Sequence, residues 1–98
     1  MEDTPFSHIS NLHRRFYTTV INNDFDLIIT DYKLPDIFGP ELTKKIKFMK
    51  PFIPVIGISA YPCKKVFIQA GADEFFEKPF RMSDIRQSVE TLTIRRDL

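Results

Sequence analysis

The sequence has a single cysteine, no excess of either charge and no long apolar run, and each shortage removes a class of function. Cys63 alone makes neither an internal disulfide nor a cysteine metal cluster, so it reads as a packing residue near a helix start in a reducing compartment. Lysine and arginine number 14 against 13 acids, a formal charge of +1 that offers no general attraction to nucleic acid or anionic lipid. No apolar run reaches the roughly 18 residues a membrane-spanning helix needs. The start "MEDTPFS" is acidic where a secretory leader is basic. A cytoplasmic chain without membrane or direct nucleic-acid binding is expected, and function must come from a site.

What is present suits one compact domain spanning residues 1–98, with 43% hydrophobic content. Ile9, Leu12, Phe16 and Val20 recur at helical spacing, predicting an amphipathic helix over about residues 7–22. The apolar run "DLIIT" predicts a buried strand. Gly39-Pro40 opens a second helix with Leu42, Ile46 and Met49 on one face. "PVIGIS", residues 54–59, is a second strand. A short helix from Pro62 runs through Val66 and Phe67 to Ala70, and Gly71 ends it. "DEFFEK", residues 73–78, is a third strand, and Ser83-Asp84 starts a last helix with Met82, Ile85, Val89 and Leu92 at about one-turn intervals.

Strands alternating with helices imply right-handed crossovers and a parallel sheet covered on both faces, in which the carboxyl ends of the strands form the site. Asp31 ends the first strand, Ser59 the second and Lys78 the third. A carboxylate, a hydroxyl and an ammonium therefore meet at one edge of the sheet.

"LIITDYKLPDIFG", "PVIGISA" and "GADEFFEKPF", in this order and at these intervals, resemble the second half of the receiver domain of two-component response regulators. The resemblance covers about residues 24–92 and leaves 1–23 as an atypical N-terminal helical segment. It implies an α/β, flavodoxin-like (CheY-like) three-layer fold with its parallel sheet reduced to about three strands. It implies that Asp31 is a phosphoacceptor served by a histidine kinase or histidine phosphotransfer protein, in a signalling module that is not an enzyme. By the same resemblance Ser59 reads the phosphoryl group, Lys78 pairs with it and Phe75 is the switch aromatic. Pro35 and Gly39 become turn residues, and Pro79 follows a cis peptide. Mg2+ would be held by Asp31, the Lys33 backbone carbonyl and an acidic pair.

That pair is where the sequence departs from the family. Glu2 and Asp3 resemble it, but the strand that should carry them would lie before Met1. Only residues 4–26 separate them from the Asp31 strand, where a helix, a strand, a helix and their loops take on the order of 35 residues. Either the chain lacks its first strand and most of the second βα unit, or residues 7–22 are the family's second helix and Glu2-Asp3 is coincidence.

The plainer readings are a loop cap for Asp31, a strand-end hydroxyl for Ser59, a solvated lysine for Lys78, and core packing for Phe75 and Phe76. His8 and His13 read as surface residues. A flavin or cobalamin binder needs a phosphate-cradling loop or an imidazole ligand that "DYKLPDIFG" does not offer. A phosphatase of the two-aspartate type needs an acid where Lys33 stands. The remaining rival is a degenerate receiver that works as a phosphorylation-independent interaction module. With no first strand, "LIIT" becomes an apolar sheet edge, and a homodimer is expected.

Overall fold

The computed structural model describes residues 25–97, with side chains as far as Ile94. The predicted helix at 7–22 and Glu2-Asp3 lie outside the described residues. Three strands, β1 (Ile28–Asp31), β2 (Val55–Ser59) and β3 (Glu74–Glu77), pair in parallel in the order β1-β2-β3. They alternate with α1 (Gly39–Met49), α2 (Lys64–Gln69) and α3 (Met82–Asp97). This is the three-layer, flavodoxin-like arrangement that the resemblance implies, with the parallel sheet that the alternation of strands and helices predicts.

Register explains the pattern of apolar residues. Ile28 lies beside Val55, Thr30 beside Gly57, and Gly57 beside Phe75. Because side chains alternate along a strand, these residues share one face. α1 covers that face with Leu42 and Ile46, which pack on Val55 and Ile28, and α2 covers it with Phe67, which packs on Phe75 and Ala72. β2 is central, and its residues are buried apart from the half-buried Ile58, which is why "VIGIS" carries no charge.

Helix boundaries follow local chemistry. Pro40 sits in the first turn of α1, and Thr43 returns its hydroxyl to the Gly39 carbonyl at 2.8 Å. α2 starts two residues after Pro62, because the Tyr61 N–H is taken by the Ser59 hydroxyl and the Cys63 N–H by the Tyr61 carbonyl. Gly71 leaves α2 at φ +107°, a conformation few side chains tolerate. α3 buries Ile85 and Leu92 of the expected face together with Ser88, with Val89 half-buried, while Met82 at the start of the helix is 68% exposed.

At the amino edge of the sheet, Lys47 Nζ donates to Asp73 Oδ2 at 2.8 Å and to the Ile53 carbonyl at 2.7 Å. The same Asp73 oxygen accepts the Val55 N–H. This fastening joins α1, β2 and β3 at the end opposite Asp31. No helix among the described residues is long and apolar enough to cross a membrane.

Candidate functional site

Each strand delivers its last residues to the same edge. Asp31 closes β1, Ser59 closes β2 and Lys78 follows β3 directly. Parallel pairing sets Asp31 beside Ile58 and Ser59 beside Glu77, and the Lys78 N–H donates to the Ser59 carbonyl at 2.7 Å. The Lys78 side chain then crosses to β1, where Nζ lies 2.9 Å from Asp31 Oδ2. Asp31 Oδ1 accepts the Tyr32 N–H at 2.7 Å.

Both carboxylate oxygens are thus matched with donors, which favours the charged form. The Lys78 hydrogen bond holds the Asp31 carboxyl below its ordinary value, against a partial opposing effect of burial. The Tyr32 N–H and the Lys78 charge add in the same direction as the Lys78 bond. The two side chains stay about 40% exposed, Lys78 at 42% and Asp31 at 39%, so this ion pair is open to a reactant from solvent.

The other expected residues are placed around this pair. Ser59 is fully buried, and its hydroxyl accepts the Tyr61 N–H at 2.9 Å. Phe75 is 9% exposed and packs on Phe67 with ring centroids 5.5 Å apart. The Lys78–Pro79 peptide is cis. Pro35 lies in the exposed turn between Lys33 and Phe38, where Leu34 donates to the Ile37 carbonyl and Gly39 to the Tyr32 carbonyl. Gly39 is needed by space: a Cβ there would overlap the Asp31 carbonyl oxygen and lie 2.8 Å from Phe67 Cζ.

For a magnesium ion the described residues supply part of a shell. The Asp31 carboxylate and the Lys33 carbonyl are hard oxygen donors of the required kind. The Lys33 carbonyl takes no part in the bonds of the Lys33–Phe38 bridge, which run through its neighbours. No cluster of three Asp, Glu, His or Cys residues forms among the described residues. Glu2 and Asp3, the acids expected to complete the set, fall outside them.

Sequence reasoning missed Tyr32. Its ring meets Phe38 at 5.3 Å, Tyr61 at 6.0 Å and Phe67 at 6.5 Å, making it the hub of an aromatic cluster. The signal was available in the strand period. A residue directly after Asp31 turns to the opposite face, the one covered by α1 and α2.

The profile of the response regulator receiver domain matches residues 11–90. The Arabidopsis thaliana two-component response regulator ARR6 is 36% identical over 78 residues, 74% of this chain and 42% of that protein. Response regulator protein PilR of Pseudomonas aeruginosa is 40% identical over 70 residues, 68% of this chain and 16% of that protein. The chain spans less than half the length of these curated relatives. Among solved structures, the CheY-like receiver domain protein of Methanospirillum hungatei aligns with a TM-score of 0.75 at 26% identity, covering 83% of this chain and 67% of that one. The BeF3-activated DrrB receiver domain aligns with a TM-score of 0.76, also at 26% identity, over 84% of this chain and 71% of that one. A profile match across most of the chain, carried on the same parallel sheet, establishes the family: the chain belongs to the receiver domains of response regulators.

Proposed function

We propose that this receiver accepts a phosphoryl group on Asp31 from a phosphohistidine of a histidine kinase or phosphotransfer protein, and that the change of state alters what it binds. The observation that carries this reading is the exposed Asp31 carboxylate held by Lys78 at 2.9 Å at the carboxyl edge of the sheet. One carboxylate oxygen attacks phosphorus, an O–P bond forms and the N–P bond of the donor breaks. The electron pair leaves on the imidazole nitrogen, which takes up a proton.

Lys78 steadies the negative charge of the nucleophile and then pairs with the phosphoryl oxygens. The Tyr32 N–H keeps the carboxylate in one orientation. Ser59 is the residue that reads the product: a phosphoryl oxygen attracts its hydroxyl away from the Tyr61 N–H, and the space released admits Phe75. A Mg2+ ion held by Asp31, the Lys33 carbonyl and the pair Glu2-Asp3 would supply the remaining charge neutralisation.

The same proposal takes residues 24–92 as the core of a single domain acting in the cytoplasm as a switch without an enzymatic reaction of its own. Its output goes to other proteins, one of them a second copy of the chain. β1 is apolar, pairs on one side with β2 among the described residues, and has Ile29 45% exposed. Sedimentation at micromolar concentration is expected to give a dimer; a clean monomer would remove self-association from the proposal.

Incubation with a small phosphodonor and magnesium, followed by intact mass, tests the acceptor role. The wild type should gain one phosphoryl group and Asp31→Asn none, since the amide keeps the shape but lacks the nucleophile. A wild type that never gains the mass would favour the degenerate, interaction-only receiver.

A further inference from the structure

Two groups at the site would be altered by phosphorylation of Asp31, and both touch Tyr32. The first is the carboxylate itself. Asp31 Oδ1 accepts the Tyr32 N–H at 2.7 Å, a bond strengthened by the shared negative charge. Once one oxygen carries phosphorus, the other is a neutral ester-like carbonyl, and a hydrogen bond to a neutral acceptor is about half as strong. The second group is Ser59, whose hydroxyl holds the Tyr61 N–H at 2.9 Å, and the Tyr61 ring meets the Tyr32 ring edge-on at 6.0 Å.

Tyr32 also connects outward. Its carbonyl accepts the Gly39 N–H at the first residue of α1, and its ring lies 5.3 Å from Phe38 and 6.5 Å from Phe67, which packs on Phe75. On the side away from the sheet the ring lines a cavity of about 360 Å³ between α1 and α2, with Phe38, Pro40, Lys44, Val66 and Ala70. Held on one side by Phe38, Tyr61 and Phe67, the half-buried ring has room to tilt only toward the cavity, so its movement is felt by the residues that line it.

We propose that Tyr32 is a positioning residue that orients the acceptor carboxylate and carries its change of state into the groove between α1 and α2. This gives the receiver a second outlet beside the Ser59–Phe75 route. The inference rests on Asp31 being the phosphoacceptor. The route from the Asp31 carboxylate to this groove is short, one peptide group and one ring.

Methyl NMR and intact mass, read on the same sample of the whole chain, provide the test. Small phosphodonor with magnesium should shift the Val66 methyl resonances several-fold more than those of Ile94, which is 61% exposed on the distant α3. Tyr32→Phe keeps the ring and should keep the shift. Tyr32→Leu should lose it in the phosphorylated fraction, even where the Phe75 ring resonances still respond. A Val66 shift no larger than that of Ile94 in phosphorylated wild type overturns the inference and leaves the acceptor role standing. Should Tyr32→Leu fail to fold, that wild-type comparison together with Tyr32→Phe still decides. Absence of any phosphoryl mass removes the acceptor role and this inference together.

Discussion

Gly39→Ala is expected to destabilise the domain by about 3 kcal/mol, the upper part of the range for overpacking a filled interior. The new methyl would overlap the backbone carbonyl of Asp31 and approach Phe67 Cζ to 2.8 Å. Neither obstacle gives way. The first is main chain at the end of β1, and Phe67 is fully buried and held against Phe75. For a domain of this size such a loss lowers the melting temperature by roughly 12–24 °C. Whatever relief occurs must move the Asp31 peptide, so the fraction that folds should also accept phosphate poorly. Thermal melting followed by circular dichroism reads the first effect. A variant melting within two or so degrees of wild type, as ordinary surface changes do, would mean that the approach of α1 to β1 is looser than described.

The second large effect concerns chemistry rather than stability. Lys78→Met keeps most of the side chain's length and removes its charge, and it should slow phosphorylation by a small donor roughly 100-fold, in line with deleting one preorganised donor from a charge-stabilising site. Its effect on folding should be small at neutral pH, because the pair is about 40% exposed and exposed ion pairs contribute little. The pH behaviour has a definite sign. Lys78 lowers the Asp31 value in the folded state, so the pair's contribution is present above the ordinary value of 3.8 and fades as pH falls through the lowered one. In Lys78→Met the Asp31 titration followed by carbon NMR should move upward, and the acid-side loss of stability due to this pair should disappear. An unchanged titration together with an unchanged phosphorylation rate would exclude Lys78 from the site.

The candidate site was legible because a polar residue ends or directly follows each strand, and the carboxyl ends of parallel strands in an alternating β-α pattern share one edge. Asp31, Ser59 and Lys78 are placed by chain order alone. What each one touches was not legible. Ser59 turns its hydroxyl to Tyr61, two residues on, and that bond also delays α2 to Lys64. The aromatic hub joins Tyr32 to Phe67 across an intervening helix and strand, a contact that periodicity cannot register. On α3 four apolar positions suggested a face containing Met82, yet Ser88 is buried and Met82, the first residue of the helix, is 68% exposed. Gly39 was readable as a turn residue, but its closeness to the Asp31 carbonyl depends on how α1 folds back over β1.

The central claim is that the phosphoryl group resides on Asp31 as an acyl phosphate. Borohydride reduces an aspartyl phosphate to homoserine, so treatment of the phosphorylated chain followed by peptide sequencing by mass spectrometry reads the modified position directly. The expected result is homoserine at position 31 and at no other aspartate. Homoserine at a different residue, or an unreduced chain after full exposure to donor and magnesium, would contradict it.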